Sequence, residues 1–266
     1  MSKIIIMGSG AAPGVPCLSR GFGDCNPDNK KNYRMRAGTY MELSGLRFLI
    51  DTSPDLRSQL LFHHIRKLDA VFYTHIHADH LHGVDDLREI NRIMQKPIDI
   101  FSSEFNMQYI RQRFGYLLTD NGKEVNPVYR AALTPHTFTY NESFYIHQLK
   151  VTPVALNGHN VEVSGYIFND GEVVHFADFK SVDEAALQLI KQKPKVMIMP
   201  LTTPDGTRYH VGFDELCSYA QKLQPERVLI NHMASECDFD VISEMCQKTG
   251  LPIEPVYDGM VIVWDE

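Results

Sequence analysis

The segment Thr74-His75-Ile76-His77-Ala78-Asp79-His80 constrains this chain more than any other. Four side chains able to bind a metal fall within six residues, in the order His-x-His-x-Asp-His. An apolar run, Ala70-Val71-Phe72-Tyr73, precedes it, and a helical pattern from Val84 to Arg92 follows. A strand therefore delivers the chain to a tight loop in which imidazoles and a carboxylate can converge. Imidazole nitrogen and carboxylate oxygen suit zinc, manganese or iron, and four such groups exceed what one catalytic ion with an open position needs. The spacing predicts two cations side by side. A polar loop of satisfied histidines is the bland alternative, and the density of the motif argues against it.

The other elements are read from periodicity. Strands are expected at Lys3–Met7, Thr39–Leu43, Phe48–Asp51, Ala70–Tyr73, Ile98–Phe101, Val151–Ala155, Tyr166–Phe168, Val173–Ala177, Val196–Met199, Arg227–Ile230 and Val261–Trp264. Helices are expected at Pro54–Phe62, Val84–Arg92, Glu104–Phe114, Asp183–Lys191, Phe213–Leu223 and Phe239–Lys248. Strands crowd the first half and strand-helix alternation returns in the second, which suits an α/β protein of stacked sheets covered by helices. No linker divides the 266 residues, so one domain over 1–266 is expected.

No apolar run is long enough to span a bilayer. The apolar start at Lys3–Met7 is cut off by a glycine-rich turn and reads as a first strand, not a signal peptide. A cytoplasmic protein is expected, with its five cysteines reduced. A net charge of −7 argues against a uniformly basic nucleic-acid surface, although it leaves room for a local basic patch.

Three more residues sit just after apolar strands, where a loop can present them: His159, Asp178 and His232. A carboxylate such as Asp178 can bridge two cations at about 3.5–4 Å, as two-metal hydrolases require. Each alone is a weak signal, because a histidine after a strand is more often structural. With the first motif they become expected ligands.

The order His75, His77, Asp79, His80, His159, Asp178, His232 resembles the metallo-β-lactamase superfamily over the full chain. The resemblance implies a four-layer αββα sandwich with the site at one edge of the two sheets. It also implies that His75, His77 and His159 hold one metal, that Asp79, His80 and His232 hold the other, and that Asp178 bridges. Gly8-Ser9-Gly10-Ala11-Ala12-Pro13-Gly14-Val15-Pro16, Cys25-Asn26-Pro27, Asn32-Tyr33-Arg34-Met35-Arg36, Asp51-Thr52-Ser53-Pro54-Asp55-Leu56-Arg57, Asn231-His232-Met233 and Tyr257-Asp258-Gly259-Met260 are similar to the phosphonate-pathway cyclic phosphodiesterases. Those enzymes hydrolyse phosphoribosyl 1,2-cyclic phosphate. Ribonuclease Z enzymes are related and share the metal motif, but no separate Gly/Pro-rich arm for gripping tRNA is visible here. The best-known cyclic phosphodiesterases also carry a structural zinc on three cysteines and a late histidine. Here Cys17 and Cys25 differ in spacing, Ser235 stands near the place of the late histidine, and Cys237 could substitute only if its loop bends suitably, so no structural zinc is expected. A homodimer is expected from the resemblance alone.

The implied reaction is metal-dependent hydrolysis of a small cyclic phosphate or nucleotide-like phosphodiester. Two divalent ions, Zn²⁺ or Mn²⁺, lower the pKa of a shared water so that hydroxide attacks phosphorus in line. Asp79 can also orient the nucleophile. His210, in the polar loop Thr207–Asp214, is the expected proton donor to the leaving alkoxide, since imidazole titrates near neutral pH. Its bland reading is an exposed loop histidine or a helix cap. Asp51 is expected to orient a ligand histidine, as the superfamily implies, or else to cap the turn before Pro54. Arg34, Arg36 and Arg57 have the forked donors that suit phosphate, against a default of solvated surface charge. The Gly8–Gly14 turn can offer N–H groups to an anion.

Three other classes stay open. A ribonuclease Z-type tRNA 3′-processing endonuclease would need a basic groove, so a nucleic-acid partner is possible but not favoured. A thioester, lactone or β-lactam hydrolase would direct the same hydroxide at carbonyl carbon. A non-catalytic binding module would often have lost ligands, whereas all seven are present. A flavodiiron redox role fits poorly, because that branch characteristically has glutamate where His77 stands. No membrane partner is expected.

Overall fold

Several strand segments of this chain are apolar at consecutive positions, which marks strands buried on both faces. The computed structural model describes residues 1–119 and 132–265. In chain order the elements are β1 (Ser2–Gly8), β2 (Gly38–Leu43), β3 (Leu46–Ile50), α1 (Leu56–Phe62), β4 (Ala70–Phe72), α2 (Ala78–Leu81), α3 (Leu87–Met94), β5 (Ile98–Ser103), α4 (Glu104–Phe114), β6 (Leu133–Phe138), β7 (Phe144–Ile146), β8 (Leu149–Asn157), β9 (Val163–Phe168), β10 (Val173–His175), β11 (Ser181–Val182), α5 (Glu184–Leu187), β12 (Val196–Pro200), α6 (Phe213–Leu223), β13 (Val228–Asn231), α7 (Phe239–Thr249), β14 (Ile253–Pro255) and β15 (Val261–Trp264).

Two mixed sheets result. The first runs β15-β1-β2-β3-β4-β5-β6 and the second β11-β8-β9-β10-β12-β13-β14, with β7 also paired to β8. In both, antiparallel pairing on one side gives way to parallel pairing on the other: β3-β4-β5-β6 in the first and β10-β12-β13-β14 in the second.

Alternation along each strand sorts its side chains between layers. Ile4, Ile6, Phe48, Phe72, Val173, Ile198 and Leu229 meet between the sheets. Ile5, Leu49, Val71 and Ile100 point the other way, against Leu56 and Leu60 of α1, Leu87 and Ile90 of α3, and Met107 and Ile110 of α4. Val174, Met197, Met199 and Ile230 likewise meet Ala186 of α5, Leu216 and Ala220 of α6, and Ile242 of α7. Three apolar layers separate four structural layers, αββα. Each fully buried Leu, Ile, Val or Phe contributes about 1.5–3 kcal/mol.

Several elements differ from the sequence reading. The helix expected at Val84–Arg92 opens as a 3-10 turn over Val84–Asp86 before α3 begins. The one expected at Asp183–Lys191 stops at Leu187, because the N–H groups of Lys191 and Gln192 bond to the Asp170 carbonyl instead. Edge strands β6 and β14 contain Pro135 and Pro255 and went unpredicted; an edge strand tolerates proline because one side of its ladder is unpaired.

The chain leaves β3, β4, β8, β10, β12 and β13 at the same end of the two sheets. That end, where the carboxyl ends of parallel strands expose loops, is where sites form in sheets of this kind.

Candidate metal centre

Immediately after β4 the chain is fixed by its backbone. The Tyr73 N–H bonds to the Phe101 carbonyl, and the Thr74 carbonyl accepts from Ser164 N and Asn106 Nδ2. His77 then starts the single turn α2, with the N–H groups of His80 and Leu81 on its carbonyl. That turn carries Asp79 and His80 inward, and both are buried. Its far end is pinned to the loop after β3: Thr52 N donates to the His80 carbonyl at 2.7 Å and Gly83 N to the Thr52 carbonyl at 2.9 Å.

Asp51 lies under this turn with φ of 64°, a left-handed backbone that is uncommon outside glycine. Its carboxylate accepts from Thr74 N, Thr74 Oγ1 and His80 Nδ1, each at 2.7 Å. These bonds set two tautomers. Thr74 spends its one hydroxyl proton on Asp51, so at 2.9 Å it accepts the proton of His75 Nδ1. His75 Nε2 is then a lone pair facing the site. His80 likewise gives Nδ1–H to Asp51 and leaves Nε2 buried, 3.3 Å from Asp79 and 3.6 Å from Asp178.

The distant residues arrive from the second sheet. His159 follows β8, Asp178 follows β10, and His232 directly follows β13 with φ of 56°. His77 Nδ1 lies 3.1 Å from His75 Nε2 and 3.1 Å from His159 Nε2. His232 Nε2 lies 3.4 Å from Asp79 and 3.3 Å from Asp178, while its Nδ1 meets the Thr202 hydroxyl at 3.2 Å. The atoms gather into His75/His77/His159, Asp79/His80/His232 and His75/His80/Asp178, each set within 4.8 Å.

These residues fit divalent cations. Nitrogens sharing a tetrahedral ion at about 2.0–2.1 Å stand about 3.3 Å apart, close to the His75–His77–His159 spacing. Burial holds the His75 imidazole well below its ordinary value, lowers that of His77 and takes His159 down to about 4, so all three present lone pairs at neutral pH. Asp51, Asp79 and Asp178 are buried carboxylates that need positive partners. Burial works to lower His80 too, but the Asp79 and Asp51 carboxylates outweigh it and raise its proton affinity well above normal. Burial would raise Asp178, but the imidazoles of His232, His210 and His80 prevail and hold its carboxyl well below the usual range.

His210 joins a fourth grouping, with His159 and Asp178. Its Nε2 points at Asp178 from 3.6 Å. Thr207 Oγ1 accepts the N–H groups of both Tyr209 and His210 at 3.0 Å and meets His210 Nδ1 at 3.2 Å. With its acceptor capacity used, that hydroxyl donates to Nδ1, which leaves the imidazole proton on Nε2, facing the site. The loop is fixed beside Asp178 by Val211 N on the Phe179 carbonyl.

A cleft of about 450 Å³ opens above these groups, lined further by Ser19, Arg20, Asn160, Thr203, Tyr209 and Glu236. Four N–H groups of its Gly-rich wall are already used and are not open to an anion. Those of Ser9, Gly10, Ala11 and Gly14 are taken by Asp258, Met35, Met233 and Ala11. Arg34 is also corrected. It is buried, with its guanidinium on the carbonyls of Ala234 and Cys237 and on Asn32, 3.8 Å from Cys25 Sγ. Arg36 pairs with Asp55, and Arg57 lines a separate groove with Asp86. Cys17 faces Ser19, and Cys237 faces the carbonyls of Leu201 and Thr202. The sequence reading missed Thr74 and Thr202. Thr74 adjoins His75 inside the motif, and Thr202 follows an apolar strand as the ligands do.

The description "Beta-lactamase superfamily domain" matches residues 46–233, the span from β3 through His232. The chain belongs to the β-lactamase superfamily. An octanoyltransferase of Porphyromonas gingivalis is 27% identical over 266 residues, which are 99% of this chain and 52% of that protein. The chain thus spans about half the length of the curated relative it matches. A solved diphosphatase of the PhnP family superposes with a TM-score of 0.86 at 24% identity, over 100% of this chain and 98% of that one. Zinc-bound PqqB from Methylobacterium extorquens gives 0.75 at 16%, over 98% and 100%. These likenesses show the superfamily's αββα fold. No helix among the described residues is long and apolar enough to cross a membrane.

Proposed function

We propose that this β-lactamase-superfamily hydrolase cleaves a small phosphodiester, a cyclic phosphate or nucleotide-like ester, at the paired metal centre. The observation that carries the reading is the convergence of two ligand trios around Asp178, with His210 beside them, on the floor of a 450 Å³ cleft. That volume suits a small ligand. The likeness to a diphosphatase over nearly both full chains supports phosphoryl chemistry.

His75, His77 and His159 would hold one Zn²⁺ or Mn²⁺, Asp79, His80 and His232 the other, and Asp178 both. Bound there, the cations supply an acidified water and neutralise charge on the phosphoryl oxygens. Asp79 accepts a hydrogen bond from the nucleophile and orients it. Asp51 and Thr74 hold the tautomers of His80 and His75, so that lone pairs face inward, and the Thr202 hydroxyl meets the outer nitrogen of His232. His210, with its proton on Nε2, gives that proton to the leaving alkoxide.

The test is hydrolysis of bis(p-nitrophenyl) phosphate by metal-stripped protein with Zn²⁺ or Mn²⁺ restored and His77→Ala as control. Turnover restored by metal and absent in the variant is expected. A folded protein holding two metals and turning over nothing would sink the reading. One observation favours a second class: the Porphyromonas relative carries an octanoyltransferase name. An acyl thioester is therefore the second substrate to assay.

A further inference from the structure

Beneath the metal centre the inter-sheet core ends in a polar layer. A chamber of about 20 Å³ lies there, bounded by Thr39, Ile50 and Asp51 of the first sheet and by His175, Asp178 and Asn231 of the second. All six residues are buried. His175 and Asn231 follow Val173 and Leu229 by two residues, so alternation turns them towards the same inter-sheet space. Neither belongs to a ligand trio. His175 Nδ1 and Asn231 Oδ1 are nonetheless fully buried with no hydrogen-bond partner in the protein. Asp178 Oδ1 and His80 Nε2 share that condition, but cations held by the ligand trios would satisfy those two atoms. Nothing at the metal centre accounts for the other two.

A buried polar atom without a partner is costly, because it has given up water and gained nothing, so two in one layer call for a common explanation. Volume supplies it. A space of about 10–15 Å³ by a water-sized probe holds one water, provided two to four polar groups surround it. Burial drives the His175 imidazole down to about 3, so it is neutral at working pH and brings no charge into the layer.

We propose that this chamber is a buried-water site and that His175 and Asn231, acting through that water, are positioning residues for the Asp178 carboxylate. The proposal rests on Asp178 being a metal ligand. The water links β10 and β13 to the floor of the centre and limits rotation of the carboxylate between the two cations.

The test uses the metal-loaded protein and does not depend on any phosphodiester. A crystal structure at a resolution that orders buried water should show one within hydrogen-bond distance of His175 Nδ1 and Asn231 Oδ1. His175→Leu and Asn231→Leu should weaken uptake of Co²⁺ by about 10–100-fold, the usual cost of losing a partner behind a ligand. They should also shift the cobalt absorption bands, and His175→Gln should restore most of both. A dry chamber overturns the proposal, as do leucine variants with wild-type affinity and spectrum. If the wild type takes up no cobalt, the metal reading falls, and the electron density in the chamber still decides whether water sits there. If a leucine variant fails to fold, the wild-type density and His175→Gln carry the decision.

Discussion

The carboxylate of Asp51 accepts three hydrogen bonds at 2.7 Å and through them fixes which nitrogen of His75 and of His80 faces the site. An amide has one acceptor oxygen, so Asp51→Asn would set an N–H₂ either against the Thr74 N–H or against the Thr74 hydroxyl and His80 Nδ1, loosening the turn that carries the ligands. Cation affinity should fall about 10–100-fold, measured by calorimetric titration of stripped protein. Wild-type affinity would remove Asp51 from the site. At His210 the discriminating quantity is the leaving group. An alkoxide needs a proton and p-nitrophenolate does not. His210→Ala should therefore slow alkyl esters by about 10²–10⁴-fold, with little loss on bis(p-nitrophenyl) phosphate. Equal losses on both would place His210 in binding and not in proton transfer. Neither tautomer is visible in the sequence. Thr74 and Thr207 stand near their histidines, but which hydroxyl donates depends on its other bonds.

The element that matters most is the shortest, the single turn α2. An isolated turn has too few hydrogen bonds to persist. This one is held at its far end by bonds to Thr52 and by Gly83, which closes it against the loop after β3. A β-carbon on Gly83 would stand 2.0 Å from the Ser53 carbonyl oxygen. Its φ of −87° is ordinary, so the constraint is space, not backbone strain. Gly83→Ala should cost about 1–3 kcal/mol or more through overpacking. It should also lower cation affinity by tilting Asp79 and His80. Denaturant unfolding and metal titration would read the two effects, and an unchanged unfolding midpoint would show that the loop yields freely. Edge strands β6 and β14 illustrate the opposite case, where pairing outweighs a proline that the sequence presents as a breaker.

At the scale of the molecule the metal centre is a joint. His75, His77, Asp79 and His80 come from the first sheet, and His159, Asp178 and His232 from the second. Cations bound there would link the sheets across the apolar layer of Phe72, Ile198 and Leu229. Because the unfolded chain lacks that convergence, cations at a hundredfold excess over Kd should add about 2.7 kcal/mol of stability. Thermal melts of stripped and reloaded protein would show it, with a smaller increment for Asp178→Asn. Identical melts would mean that the native state does not bind the ions. The sequence by itself determined the local part. A dense His-x-His-x-Asp-His motif after an apolar strand gathers four candidate ligands in one loop, and two-faced apolar strands dictate buried sheets. It also marked His159, Asp178 and His232, because a polar residue ending a buried strand emerges at the sheet edge. The tertiary structure alone decided what depends on distant partners. Arg34 has the sequence of a phosphate arm, but it is buried and both its Nη groups bond to carbonyls of the loop after His232. The Gly-rich turn has the composition of an anion cradle, but the N–H groups of Ser9, Gly10 and Ala11 are spent on Asp258, Met35 and Met233. Composition gives the number of donors a segment carries. Whether any remain free is set only when the second sheet closes against the first.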